Sequence, residues 1–143
     1  MKPNQGKIIP LLHSPSYDLG NEAFNLLLRG KDNQQNLTLI HSEIQPQNGS
    51  PLHTHQGFEE AYYLMEGQLD ITLDHHRQII QAGTLVYVPR HTPHSYFNAT
   101  DHNAKLLIWA SPGGIEDYII ALTQATSTKE IADITEQYDF TPL

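Results

Sequence analysis

The stretch from Pro51 to Gly67, PLHTHQGFEEAYYLMEG, constrains the fold more than any other part of the chain. His53 and His55 are two residues apart, so on a β-strand both imidazoles leave the same face. Two histidines in this arrangement can clamp a metal ion. Gln56-Gly57 favours a turn, and the apolar residues 61–65 predict a second strand that returns beside the first.

Two adjacent glutamates, Glu59 and Glu60, stand at the start of that second strand. Because neighbouring side chains of a strand point to opposite faces, only one of them can face the histidines, and spacing alone does not decide which. Further along, a buried strand is predicted at 85–88, followed by a proline-bounded turn. His94 begins the next run and is the natural third imidazole.

Three more residues share the faces that carry these candidate ligands. Tyr62 has the same parity as Glu60 on its strand, and Tyr96 and Asn98 have the same parity as His94. We expect Tyr62 and Tyr96 to line a substrate pocket or donate a hydrogen bond. We expect Asn98 to contact ligand or to support the loop.

The remainder of the chain predicts many short strands and few helices. The predicted strands are an edge strand at 7–12 and further strands at 24–28, 37–44, 68–73, 78–81 and 104–110, with a polar loop at 29–36 and a hairpin turn at 74–77. Apolar side chains on both faces of 37–44 indicate a covered second face, as in contact with another subunit. Such a series predicts an antiparallel sandwich or barrel.

Helical patterns occur only near the end of the sequence. Residues 115–122 carry an apolar stripe, and Ser127-Thr-Lys-Glu130 resembles a capping box that opens a second helix. We expect both helices to pack outside the barrel as structural elements.

Composition excludes several classes of function. Eight basic and sixteen acidic residues give a net charge of -8, the wrong sign for binding nucleic acid. The absence of cysteine excludes disulfides, thiolate zinc sites and cysteine nucleophiles. The start lacks the apolar segment of a signal peptide, and no apolar run reaches the roughly 18–20 residues that span a bilayer. We therefore expect a cytoplasmic protein without a membrane partner.

The two histidine-containing stretches resemble the two motifs of the cupin superfamily. The first motif is His-x-His, four residues, Glu, six residues and Gly, matched here by His53, His55, Glu60 and Gly67. The second is Gly, five residues and Pro, then His, three residues and Asn, matched here by Gly83, Pro89, His94 and Asn98. Both internal spacings and the short gap between the motifs agree with the family pattern.

The resemblance also selects between the two glutamates, because the motif places its carboxylate at Glu60. At two positions where cupins usually carry glycine, this chain has Gln47 and His91. Both are turn positions, and neither is a ligand.

The resemblance is strongest to small single-domain cupins of the quercetin-dioxygenase type and covers about residues 36–118. It implies an all-β, double-stranded β-helix (jelly-roll) barrel in one domain over 1–143, with a core at about 36–112 and a helical segment at about 115–138. It further implies a homodimer and one divalent transition metal (Fe, Mn, Ni, Co or Zn), held by His53, His55, Glu60 and His94.

Three nitrogens and one carboxylate oxygen suit such a metal and leave coordination positions for ligand, which is typical of catalytic sites. We expect a dioxygenase-like enzyme that acts on a small enolic or phenolic compound, with Glu60 as the candidate catalytic base. Two alternatives stay open. One is a non-redox isomerase, decarboxylase or lyase, and the other is a barrel that binds a small molecule without catalysis.

Overall fold

Two antiparallel β-sheets pack face to face in a computed structural model that describes residues 5–143. The strands are β1 (Ser16–Asp18), β2 (Glu22–Leu28), β3 (Thr38–Ile44), β4 (Asn48–Gly49), β5 (His53–Thr54), β6 (Glu59–Glu66), β7 (Gln68–Leu73), β8 (His76–Gln81), β9 (Leu85–Val88), β10 (His94–Asn98), β11 (Ala104–Ser111) and β12 (Thr141–Pro142). Two helices, α1 (Ile115–Gln124) and α2 (Thr128–Gln137), follow β11.

The order of strands shows how the chain crosses between the sheets. The first sheet has the order β1-β2-β3-β11-β6-β9, and the second has β12-β5-β10-β7-β8 with β4 paired to β10. Consecutive strands β5 and β6 therefore lie in different sheets. This crossing is the double-stranded β-helix that was predicted, and the fold class is confirmed.

The predicted hairpin between the first two strands of the histidine motif is wrong. Strand β5 pairs with β10 and β12, whereas β6 pairs with β11 and β9. The turn at Gln56-Gly57 carries the chain across to the opposite sheet instead of back along the same one. As a result, His55 and Glu60 face each other across the interior.

The core lies between the sheets and is built by side chains that alternate along the strands. Ile40, Leu64, Leu69 and Leu106 are fully buried and come from both sheets. On β11, Leu106 and Ile108 point inward while Leu107 and Trp109 are only partly buried on the outer face. Burial of one face per strand is what fixes the register of the sheets.

The outer face of the first sheet carries several large apolar side chains that are exposed to solvent. Tyr63, Leu85 and Tyr87 are exposed there, and Tyr63 is paired with Leu85 in register. Strand β9 is therefore only half buried, which corrects the prediction of a buried strand at 85–88. On the same face, His41 of β3 is buried and pairs in register with Leu107.

The predicted edge strand at 7–12 is also wrong. Ile8 and Leu12 are 98% and 94% exposed, and Leu11–His13 form a single 3-10 turn. Pro10 has no N–H to give to a ladder, and no strand within residues 5–143 pairs with this segment. The other predicted strands are present, although the hairpin turn after β7 is tighter than predicted, because Leu73 pairs directly with His76.

Helices α1 and α2 lie across one end of the barrel. Ile119 of α1 belongs to the core, and Tyr118 of α1 and Ile131 of α2 line the same cavity as the inward-facing sheet residues. The prediction of a purely structural position outside the barrel is therefore wrong. The capping box is present in part, since Ser127 Oγ accepts a hydrogen bond from Glu130 N at 3.1 Å. Within residues 5–143, no helix is long and apolar enough to cross a bilayer.

A buried glutamate fixes the start of α1. Glu116 accepts hydrogen bonds from Gly30 N at 2.7 Å and from the Thr38 hydroxyl at 2.5 Å. These contacts tie α1 to β3 and to the loop before it. The helix therefore has a fixed position over the barrel interior.

Candidate metal centre

The barrel brings three histidines into one buried cluster. His53 lies on β5, His55 follows it directly, and His94 begins β10, where it pairs in register with His53. All three side chains are buried, and a ligand nitrogen of each lies within 4.8 Å of the others. Pairing of the short strand β5 with β10 is therefore what joins the two sequence motifs.

Backbone carbonyls orient all three rings in the same way. The Nδ1 atoms of His53, His55 and His94 lie 2.7, 3.2 and 2.8 Å from the carbonyl oxygens of Pro51, Phe58 and Thr92. A carbonyl oxygen can only accept, so Nδ1 carries the proton in each ring. With Nδ1 protonated, Nε2 is the nitrogen of His55 and His94 that faces Glu60. It can carry a proton towards that carboxylate or, once that proton is lost, bind a metal.

Glu60 supplies a carboxylate that lies against two of the three histidines. Its Oε2 lies 3.2 Å from His55 Nε2 and 3.1 Å from His94 Nε2. Burial raises the pKa of the Glu60 carboxyl, but the imidazoles of His55 and His94 outweigh burial and hold that pKa well below its usual range. Glu59 points the other way, where it accepts a hydrogen bond from the Tyr87 hydroxyl.

The donor set fits a divalent transition metal. His55 Nε2 is buried, and although it is close to Glu60 it has no partner in hydrogen-bond geometry among the described residues. Such an orphaned nitrogen is costly to bury unless a cation accepts its lone pair. Burial and the neighbouring His94 also lower the pKa of His53 to about 4, so this imidazole is neutral at neutral pH. Three imidazole nitrogens and one carboxylate oxygen then converge without sulfur.

A largely apolar cavity of about 340 Å³ opens beside the histidine cluster and reaches His53 and Glu60. Tyr62 and Tyr96 both line it, as their strand parity predicts. The Tyr62 hydroxyl donates to Glu60 Oε2 at 2.5 Å, and the Tyr96 hydroxyl donates to Glu22 Oε1 at 2.6 Å. Their rings meet edge to face with centroids 5.7 Å apart.

Asn98 does not line this cavity, which corrects its prediction as a pocket residue. Its amide nitrogen donates to the carbonyl oxygens of Ile44 and His102, and its amide oxygen accepts from Thr100 N and the Thr100 hydroxyl. All of these partners belong to the protein backbone or to the adjacent loop. Asn98 therefore supports the loop that joins β10 to β11.

Glu22 is a cavity residue that sequence reasoning missed. The predicted strand began at Phe24, whereas β2 begins at Glu22, which is buried on the cavity wall. One signal could have found it. Glu22, Phe24 and Leu26 share one face at a spacing of two, so the carboxyl lies in line with two core positions.

The end of the described chain closes the site. We call residues 138–143 the C-terminal strap. Within it, Phe140 stacks on His53 with ring centroids 5.0 Å apart and on Tyr118 of α1 at 3.9 Å. Asp139 Oδ2 accepts hydrogen bonds from Gln56 N at 2.9 Å and Gly57 N at 2.7 Å. The strap therefore covers the histidine cluster and is fastened to the turn beside His55.

Comparison with protein families decides the assignment. A family model described as a cupin domain matches residues 40–110, the region that contains both histidine motifs. The chain belongs to the cupin superfamily. In this cupin, the matched region ends within β11, so α1, α2 and the C-terminal strap lie beyond it.

Proteins that resemble this chain differ in their names and described activities. Quercetin 2,3-dioxygenase of Bacillus subtilis is 24% identical over 99 residues, which is 69% of this chain but only 29% of that enzyme. The structure of KdgF from Halomonas sp. superposes with a TM-score of 0.71 at 13% identity, over 79% of this chain and 99% of that one. The polyketide cyclase RemF from Streptomyces resistomycificus gives 0.67 at 18% identity, over 75% and 80%. These structural likenesses show the fold alone.

Proposed function

We propose that this cupin is a metal-dependent dioxygenase that acts on a small enolic or phenolic compound. The observation that carries the proposal is the opening of an apolar, tyrosine-lined cavity onto a cluster of three Nε2 atoms and one carboxylate. The distant likeness to quercetin 2,3-dioxygenase supports the reaction class.

His53, His55, His94 and Glu60 would hold the metal. A divalent transition metal bound there would supply Lewis acidity towards a substrate oxygen and, if redox-active, chemistry with dioxygen. The carbonyl partners of the three Nδ1 atoms fix the ring orientations before any ligand arrives. Pre-set ligands reduce the reorganisation needed during binding and reaction.

Glu60 would accept the substrate proton, and Tyr62 would hold the accepting oxygen in position. The pKa of Glu60 lies well below its usual range, so its carboxylate is ionised at neutral pH and suited to hold a cation. Released from the metal, its Oε2 would be the oxygen that accepts the substrate proton. The Tyr62 hydroxyl holds that oxygen in place through its hydrogen bond. Phe58 stacks on His55 with centroids 3.9 Å apart, and Phe140 stacks on His53, so apolar rings border the histidine cluster.

The test combines metal analysis with oxygen uptake. Untagged protein is purified without chelators or a metal column, and its metal content is measured beside His94→Ala and Glu60→Ala. His102→Ala is the matched control, because His102 is an exposed histidine of the loop after β10. We expect about one equivalent of a divalent metal in the wild type and in the control, and loss of metal in His94→Ala.

Oxygen consumption is then followed with quercetin as the probe substrate and with iron or manganese loaded. Turnover that requires dioxygen, and that His94→Ala abolishes, supports the proposal. Wild-type protein that cannot be loaded with any divalent metal would refute it. Full metal loading without oxygen uptake on any flavonol or catechol would refute the dioxygenase assignment alone.

The ionised Glu60 favours one second candidate, a non-redox isomerase, decarboxylase or lyase. Glu60 lies within 3.2 Å of the metal-facing nitrogens and needs no oxidant to accept a proton. This function would run at full rate under strict anaerobiosis. A rate that falls to zero when oxygen is removed would exclude it.

A further inference from the structure

The cavity wall carries a second polar cluster that is separate from the four candidate metal ligands. Glu22 lies on β2, Ser42 on β3 and Tyr96 on β10, so both sheets contribute to it. The Ser42 hydroxyl donates to Glu22 Oε1 at 2.5 Å, and the Tyr96 hydroxyl donates to the same oxygen at 2.6 Å. Glu22 is only 6% exposed, and its exposed part lines the cavity.

The two hydrogen bonds leave one carboxyl oxygen of Glu22 for a ligand. Both donors use Oε1, and no hydrogen bond from the described part of the chain reaches Oε2. Burial raises the pKa of Glu22, and the hydrogen bonds from Ser42 and Tyr96 offset only part of that rise. Two titratable side chains, Tyr96 and Tyr62, face Glu22. Burial raises the pKa of both hydroxyls well above its usual range, so both stay neutral. Glu22 is thus suited to donate a hydrogen bond through a protonated Oε2.

The rest of the cavity selects against anionic ligands. Among residues 5–143, no lysine or arginine lines the cavity. The acidic side chains that line it are those of Glu22 and Glu60. A carboxylate or phosphate on the ligand would lose its hydration and meet no protein cation there. An uncharged ligand with apolar surface instead matches the walls formed by Phe24, Ile108 and Tyr118.

We propose that Glu22 is a specificity-determining residue that selects an uncharged, ring-shaped ligand with two oxygens. One oxygen is directed to the metal centre, and the other accepts a hydrogen bond from Glu22, which Ser42 and Tyr96 hold in position. Where it concerns the metal-directed oxygen, the inference rests on the proposed function. It adds a residue and a ligand class that the histidine motifs do not specify.

The experiment measures binding of three probes that share one aromatic frame. They are naphthol, a dihydroxynaphthalene with its hydroxyls at opposite ends, and the naphthalene dicarboxylate of the same shape. The full chain is loaded with redox-inert zinc, and binding is followed by the fluorescence of the probe. We expect the diol to bind about fivefold tighter than naphthol, which is the effect of one additional neutral hydrogen bond. We expect the dicarboxylate to bind at least tenfold weaker than the diol.

Variants of Glu22 assign these preferences to the residue. Glu22→Leu should remove the preference for the diol over naphthol, whereas Glu22→Gln should keep it, because a neutral amide can accept from Ser42 and Tyr96 and still donate to the ligand. Lys129→Ala, on the exposed face of α2, is the control for general effects. If Glu22→Leu does not fold, the order of affinities of the three probes for the wild-type protein still tests the inference.

Three results would overturn the inference. They are a dicarboxylate that binds as tightly as the diol, a diol preference that survives in Glu22→Leu, and a wild type that binds none of the uncharged probes at their solubility limits. Failure of the proposed function gives a different pattern. If no metal can be loaded, naphthol binding to metal-free protein should still weaken in Glu22→Leu, because Glu22 is then the polar group that anchors the single hydroxyl. If zinc-loaded protein shows the expected order but oxygen is never consumed, the dioxygenase assignment fails and the ligand class stands.

Discussion

Removing one carboxylate should open the C-terminal strap without unfolding the barrel. Asp139 Oδ2 accepts from two backbone N–H groups, Gln56 N and Gly57 N, and thereby fastens the strap to the turn beside His55. Asp139 has a backbone φ of 64°, in the left-handed region. Glycine adopts this region without strain, so Asp139→Gly removes the two hydrogen bonds and adds no backbone penalty.

The magnitude follows from the number of bonds and their exposure. A hydrogen bond to a charged group contributes more than a neutral one when it is buried, but Asp139 is partly exposed and water competes for both donors. Together the two bonds contribute about 1–2 kcal/mol. Glycine also relieves the left-handed strain at this position, which returns about 0.5–1 kcal/mol. At about 1.4 kcal/mol per factor of ten, the net loss of about 0.5–1 kcal/mol makes the open form of the strap roughly 2–5 times more populated.

Native-state hydrogen exchange measures this opening residue by residue. In Asp139→Gly, we expect protection to fall by that factor for the amides of Phe140 and Leu143, and to stay unchanged for Leu106 and Ile108 in the core. Asp139→Asn keeps a neutral acceptor and should lie between the wild type and Asp139→Gly. Equal loss of protection in the strap and in the core would show global destabilisation, and no loss in either would show that the two bonds do not hold the strap. Either result would refute the reasoning.

Three further predictions concern stability and assembly. His91→Gly should raise the free energy of unfolding by about 0.5–1 kcal/mol in urea denaturation, because exposed His91 has a φ of 64°, while His91→Ala should not. Glu22 has a pKa that burial raises above its ordinary 4.5, so its stabilising contribution is present below pH 4.5 and is lost as pH rises towards the folded-state pKa. Wild-type stability relative to Glu22→Gln should therefore fall by up to about 1.4 kcal/mol per pH unit above 4.5, and an increase would contradict the raised pKa. We also propose that the exposed outer face at Tyr63, Leu85 and Tyr87 forms a homodimer interface. Tyr63→Glu should give monomers in sedimentation velocity, and a monomeric wild type would contradict the interface.

The candidate ligands could be predicted because each motif is local in sequence. Strand parity and motif spacing select His53, His55, Glu60 and His94, although the pairing of β5 with β10 that joins the two motifs is a long-range contact. The two positions where cupins usually have glycine also behave as turn positions, since Gln47 and His91 both have φ values above 60°. Turn conformations of this kind can be predicted from short sequence motifs.

The errors concern how elements meet over long distances in the sequence. A turn such as Gln56-Gly57 can return a strand along one sheet or cross to the other, and the pairing of β6 with β11 joins residues 39 to 52 positions apart. The apolar pattern of 7–12 resembles a strand, but in the part of the chain that the structure describes no strand pairs with it. The position of Phe140 against His53 is likewise set by tertiary packing, which no periodicity in the last residues reports.

The position of the strap in the sequence also affects the order in which the site forms. Synthesis proceeds from the N-terminus, so His53, His55, Glu60 and His94 are all made before residues 138–143 exist. Until Phe140 reaches His53, the nitrogens that face the interior are open to bulk ions. The strap is thus the last part of the site to be made, and β5, which carries His53, gains its pairing with β12 only when the strap is in place.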